Sequence, residues 1–193
     1  MKVAVLALQG AFIEHIHKLE SLGIECLELR KKEDLNQEFD GLILPGGEST
    51  VQGKLLKELD MFDILKEKIE HGLPVLATCA GLILLAKEIE NQTENYFNSI
   101  DMVVKRNAYG RQLGSFRTIE EMKHIGQVPM TFIRAPYIDQ VGDDVEVLAT
   151  VDQKIIAVKS KNQLALAFHP ELDDDLRIHQ YFIDMIKKRN VHK

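Results

Sequence analysis

The chain has 193 residues, 45% of them hydrophobic and 28% charged, with a net charge of -6. That length and balance fit one domain (1–193) with one substantial core, and the acidity excludes the clustered basic surface that phosphate contacts require, so no nucleic-acid partner is expected. Two distant cysteines, Cys26 and Cys79, give neither a disulfide framework nor metal-ligand spacing. With no leader pattern at Met1 to Leu8 and no apolar run long enough to span a bilayer, a cytoplasmic protein away from the membrane is expected.

In chain order, short apolar runs alternate with amphipathic stretches, the pattern of an α/β protein with a mainly parallel central sheet flanked by helices. Lys2 to Leu8 reads as the first strand. Phe12, Ile16, Leu19 and Leu22 then recur at helical spacing, with Gly23 as a stop. Strands follow at Ile24 to Leu29 and Phe39 to Leu44, the second broken by Pro45-Gly46-Gly47; Leu55, Leu56, Leu59, Leu65 and Ile69 mark one or two helices. Pro74 to Thr78 is a fourth strand, Gly81 to Glu88 a helix, and Asn91 to Asn98 a polar surface connection. Further strands are predicted at Met102–Lys105, Met130–Arg134, Val145–Thr150, Lys154–Lys159 and Leu164–Phe168, before a last helix carrying Ile178, Phe182, Met185 and Ile186.

Val75 to Gly81 reads as a buried strand, a corner of small residues holding Cys79, and a helix start. Such a turn lifts a nucleophile out of the sheet, and a helix N-terminus favours thiolate; a buried structural cysteine would share the pattern. Cys26, inside an ordinary strand, is read as structural. His169-Pro170-Glu171 ends the last strand, where an open parallel sheet gathers its ligands, so His169 can reach the thiol while Glu171 fixes its tautomer. A helix entry with a solvated Glu171 is the alternative. His15, His17, His71, His124, His179 and His192 are placed on helices or in polar segments and expected at the surface, although Gln9, Glu14 and His15 lie close enough to the first strand's end to touch the site or a partner.

Pro45 to Thr50 lacks the Lys-Ser or Lys-Thr of a Walker loop and the three spaced glycines of a dinucleotide fingerprint. Backbone N–H groups offered to an oxyanion suit it better. The run Asp173 to Asp175 reads as a helix start, where acidic residues complement the dipole, and not as a metal site; Lys187 to Arg189 likewise suits a helix end.

Gly46-Gly47-Glu48-Ser49-Thr50, Thr78-Cys79-Ala80-Gly81 and His169-Pro170-Glu171, in that order, resemble the class I glutamine amidotransferases, whose fold is flavodoxin-like. Leu8-Gln9-Gly10 with Glu14-His15, the run Arg106 to Gln112, and Phe132 to Pro136 are similar to the family of glutaminase subunits of pyridoxal 5'-phosphate synthase. The resemblance runs from the first strand to the last helix. It implies a Cys79-His169-Glu171 triad, an oxyanion hole from the Gly47 and Ala80 amides, and glutamine held by Gly47, Glu48, Ser49, Arg106, Ile133 and Arg134. An arginine such as Arg106 suits an α-carboxylate because a guanidinium can pair with it through two hydrogen bonds. It further implies L-glutamine as substrate, no cofactor and no metal, and a synthase subunit with a (β/α)8 barrel in a large hetero-oligomer. That partner would use the ammonia with ribose 5-phosphate and glyceraldehyde 3-phosphate, and docking would complete the oxyanion hole. Two departures stand out: Ala77 where the family usually has Gly, and an Asn91 to Ile100 stretch unlike the Gly- and Leu-rich family version. A glutaminase serving another synthase, such as that for imidazole glycerol phosphate, a lone Cys-elbow hydrolase or peptidase, and a non-catalytic module are the rival readings.

Overall fold

The computed structural model describes residues 1–106 and 114–191. The chain opens with β1 (Lys2–Leu6), α1 (Phe12–Ser21) and β2 (Glu25–Leu29). It continues through β3 (Gly41–Leu44), α2 (Ser49–Glu58), α3 (Phe62–Glu70), β4 (Val75–Thr78) and α4 (Ala80–Leu85). β5 (Ala86–Ile89), β6 (Ile100–Lys105), β7 (Ser115–Met122), β8 (Gly126–Ile133) and β9 (Tyr137–Val141) follow. The last elements are β10 (Glu146–Val151), β11 (Lys154–Ser160), β12 (Gln163–Leu166) and α5 (Arg177–Val191).

The large sheet runs β2-β1-β3-β4-β12-β11-β9-β6-β5, with β10 added on β11; β7 and β8 form a separate antiparallel hairpin. From β2 to β12 every neighbouring pair is parallel, and the strands of that block that lie at its centre are apolar on both faces: β3, β4 and β12 are buried at every position. This is what a parallel sheet covered by helices demands of its sequence. The order of these five strands is that of the flavodoxin-like folds, and a mainly parallel sheet is what the apolar runs led us to expect. Beyond β12 the ladder turns antiparallel through β11, β9 and β6, and ends in the parallel pair β5 and β6.

α5 packs over β3: a Cβ at Gly41 would lie 2.5 Å from Ile186 Cδ1. Ala77 is fully buried, in register with Leu44 of β3 on one side and Ala165 of β12 on the other.

Three readings need correction. The helix expected to reach Glu88 ends at Leu85, and Ala86–Ile89 is a strand paired with β6. Ala86 and Ile89 are buried while Lys87 and Glu88 are exposed, a spacing of three that suits a helix or a bulged edge strand alike, and pairing with β6 decided it. Strands β7 and β9 were not foreseen; β7 is charged and only half-buried on one side, so its alternation is weak. The stretch Asn91 to Asn98 is not wholly a surface connection, because Tyr96 and Phe97 are buried in it, Phe97 stacked on Phe62 with 5.0 Å between centroids. No helix among the described residues is long and apolar enough to cross a membrane.

Candidate active site

The strand order assembles the site. β4 lies between β3 and β12, so the residue after β4 has the loop after β3 on one side and the turn after β12 on the other. That residue is Cys79. Its φ of 49° and ψ of -101° are those of a strained corner, a conformation that costs a non-glycine residue about 1 to 3 kcal/mol and recurs at functional positions. The Cys79 amide donates to Leu166 O of β12 at 2.8 Å, which anchors the corner. Ala80 opens α4, where the first amides have no carbonyl within the helix to bond. Next to it, the loop after β3 is pressed against the loop after β1: Ala11 N donates to Gly46 O at 3.0 Å, and a Cβ at Gly10 would lie 1.8 Å from that oxygen. Only glycine fits at Gly10.

His169 ends the run after β12. Its amide donates to Thr131 O of β8 at 2.8 Å, and its Nδ1 lies 2.6 Å from Glu171 Oε1. On the other side of the ring lies the Cys79 sulfur, near enough to raise the imidazole's proton affinity. All three side chains are buried, Cys79 at 7%, His169 at 6% and Glu171 at 4% exposure. Burial works against charge on His169, yet its hydrogen bonds to Cys79 and Glu171 and the negative charge they bring outweigh it and push the imidazole up to about 10. Burial raises Glu171, but the hydrogen bond to the charged His169 ring, with His15 facing the other oxygen, holds the carboxyl below its usual range. The arrangement can therefore carry an imidazolium beside a sulfur nucleophile, with a carboxylate to orient it.

The other expected site residues fall as follows. Gly47 and Glu48 lie in the loop before α2, where Glu48 N donates to Gln9 Oε1 at 2.8 Å, and a Cβ at Gly47 would sit 2.3 Å from that same oxygen. Ser49 is 2% exposed, and its Oγ has no hydrogen-bond partner among the described residues. Ile133 ends β8 and is exposed; Arg134 follows with a φ of 44°, its amide donating to Gly114 O. Arg106 follows β6, its Nη2 donating to Gln92 Oε1 at 2.8 Å. The rest of that motif, Asn107 to Gln112, lies outside the described residues. Among the described residues there is no cluster of three or more potential metal ligands. Asp173 is no helix cap: its buried carboxylate takes Arg117 Nε at 2.7 Å and Thr131 Oγ1 at 2.9 Å, tying the β7-β8 hairpin to the site. The helix starts later, where Asp175 accepts from the Arg177 amide at 2.9 Å.

His15 and His179, expected at the surface, are fully buried. The signal was available. His15 lies three after Phe12 and four before Leu19, and His179 three before Phe182, so both fall on the apolar stripes of their helices. His192 is outside the described residues; His17, His71 and His124 are exposed as expected.

Residues 5–188 match the SNO glutamine amidotransferase family. A pyridoxal 5'-phosphate synthase subunit PdxT from Desulfitobacterium hafniense (strain DSM 10664 / DCB-2) is 64% identical over 186 residues, covering 96% of this chain and 94% of that one. The PdxT subunit of Streptococcus pneumoniae (strain CGSP14) is 58% identical over 192 residues, covering 98% and 99%. A solved glutamine amidotransferase superposes with a TM-score of 0.91 at 44% identity over 96% of this chain and 98% of that chain. Another, from Thermotoga maritima, shares the fold at 16% identity, with a TM-score of 0.62 over 99% and 86%. The chain, with a cysteine corner held between two strand ends and a buried imidazole and carboxylate beside it, belongs to the SNO glutamine amidotransferase family.

Proposed function

We propose that this chain hydrolyses L-glutamine to L-glutamate and ammonia, and passes the ammonia to a synthase subunit that makes pyridoxal 5'-phosphate from ribose 5-phosphate and glyceraldehyde 3-phosphate. The observation that carries the chemistry is the strained Cys79 corner beside buried His169, itself 2.6 Å from Glu171. The names of the relatives, a synthase subunit in each case, support the destination of the ammonia.

Cys79 sulfur attacks the side-chain carboxamide carbon of glutamine, and the carbonyl oxygen takes up negative charge opposite the Gly47 and Ala80 amides. One such donor is worth about 3 to 4 kcal/mol to the transition state. His169 delivers its proton to the departing nitrogen, releasing ammonia and leaving a γ-glutamyl thioester. The same imidazole then takes a proton from water as that water attacks, and glutamate leaves with the thiolate restored. Glu171 holds the ring's tautomer and stabilises its charged form. Glu48, Ser49, Ile133 and Arg134 border the substrate, and Arg106 receives its α-carboxylate. Neither a metal nor an organic cofactor enters this scheme.

Ammonia released to water at neutral pH is protonated and diluted, so the scheme calls for a covered route into a partner, which the resemblance makes a (β/α)8 barrel in a large hetero-oligomer. The test is glutamate and ammonia release by wild type and Cys79→Ala, each with and without the synthase subunit. Turnover that rises on adding the synthase and vanishes in Cys79→Ala is the expected result. Full activity in Cys79→Ala refutes the nucleophile, and equal stimulation by an unrelated synthase refutes the assigned partner.

A further inference from the structure

Behind Glu171 lie two imidazoles that the scheme above leaves unused. Glu171 presents only one oxygen to His169. The other, Oε2, is buried and has no regular hydrogen bond among the described residues; the polar atom that faces it is His15 Nε2, at 3.4 Å. The same nitrogen lies 3.2 Å from Thr78 Oγ1, one residue before the nucleophile, and His15 Nδ1 lies 2.9 Å from His179 Nε2. His15 and His179 are both fully buried, and they tie α1 and α5 to the back of the site.

We propose that His15 is a positioning residue of the glutaminase site, donating Nε2–H to the second oxygen of Glu171, with His179 fixing the tautomer that makes this donation possible. The inference rests on the Cys79-His169-Glu171 reading given above.

Burial lowers the proton affinity of His15, and lowers that of His179 further, so each ring is neutral with one N–H. Suppose His15 carried its proton on Nδ1. Its Nε2 lone pair would then confront a carboxylate oxygen, and His179, accepting at Nε2, would bury an N–H at Nδ1, an atom with no partner among the described residues. An orphaned buried N–H and opposed lone pairs are both costly. In the other arrangement His179 Nε2–H donates to His15 Nδ1, His15 Nε2–H serves Glu171 and Thr78, and the orphaned atom is only a lone pair. Every donor then points toward Glu171, whose Oε1 receives His169 Nδ1–H. The carboxylate then has a donor facing each oxygen, His169 Nδ1–H at 2.6 Å and His15 Nε2–H at 3.4 Å.

The groups facing His15 are Glu171 and His169 from the turn after β12, Glu14 on its own helix, Thr78 from β4 and His179 from α5, with Lys18 near His179. Since His15 is neutral, it gives Glu171 an N–H dipole and not a cation. A glutamine at this position can place an amide N–H where His15 has Nε2–H; a leucine cannot.

The experiment has two arms. In the first, His15→Leu, His15→Gln and Cys79→Ala are assayed in the complex with the synthase. His15→Leu is expected to lower kcat on the order of tenfold, the loss of about one hydrogen bond to the charged carboxylate that orients His169. KM for glutamine should stay within about twofold, the alkaline limb of the pH profile should move to lower pH, and His15→Gln should recover most of the rate. In the second arm, nitrogen-15 histidine spectra of the wild-type protein at pH 7 should show His15 and His179 both neutral and protonated at Nε2, a result that depends on no variant folding. His15 protonated at Nδ1 or at both nitrogens overturns the proposal, as does a His15→Leu enzyme with unchanged kcat and pH profile. Activity surviving in Cys79→Ala would instead overturn the triad reading, so the two failures are distinguishable.

Discussion

Replacing Gly46 by alanine tests whether the site depends on the close approach of two strand ends. A Cβ at Gly46 would lie 2.3 Å from His169 Cε1, 2.9 Å from Nδ1 and 3.4 Å from Nε2. Carbon atoms settle at about 3.5 to 4.0 Å, so the imidazole must retreat by roughly 1 Å or the loop must lift by as much. Retreat is opposed by Glu171, bound to Nδ1 at 2.6 Å, and by the His169 amide, held to Thr131 O. A displacement of about 1 Å between reacting groups costs on the order of a hundredfold in rate, and overpacking of this kind about 1 to 3 kcal/mol in stability. Gly46→Ala is therefore expected to fold, to lose up to about 3 kcal/mol in urea unfolding, and to lose about a hundredfold in kcat measured by glutamate release. Gly23→Ala is the control: a φ of +72° and no atom within 4 Å predict backbone strain of about 1 kcal/mol with kcat intact. A Gly46→Ala enzyme within threefold of wild-type kcat would refute the reasoning, because the imidazole would then have free space or no part in the chemistry.

Two predictions concern pH. Burial depresses the proton affinity of His15 and His179 in the folded chain, so above pH 6.5 neither form takes up a proton and nothing changes; below 6.5 the unfolded chain gains protons that the native chain refuses, and stability falls as acidity rises. The slope is at most about 1.4 kcal/mol per pH unit for each histidine, and urea titrations at pH 7.5 and 5.5 on wild type and His179→Phe will show whether it shrinks when one is removed. His169 behaves oppositely: its folded value is raised, so the stability its charge brings is complete below 6.5 and is lost as pH climbs through about 10, where the imidazolium itself loses its proton. kcat/KM for glutamine should therefore hold through pH 8 to 9 and decline as pH passes about 10, and a decline centred near 6.5 would contradict the ion-pair arrangement.

The sequence by itself determined the class of fold and put forward Cys79, His169 and Glu171 as candidates, because both signals are written locally. Cys79 sits in a corner of small residues between a fully buried strand and a helix, and His169 stands where an apolar run stops; a parallel sheet buried on both faces has few other ways to appear in sequence. Only the tertiary structure decided which strand ends meet. That β12 pairs with β4, with Leu166 beside Thr78 far back in the chain, is what brings His169 to Cys79, and no local propensity encodes such a pairing. The same holds for Ala86–Ile89, a helical pattern turned into a strand by the free edge of β6, and for β7, whose weak alternation becomes a strand only against β8. His15 and His179 show the limit most clearly. A histidine's polarity argues for the surface, its place on an apolar stripe argues for the core, and the outcome depended on whether a carboxylate and a hydroxyl from distant strands were there to meet it.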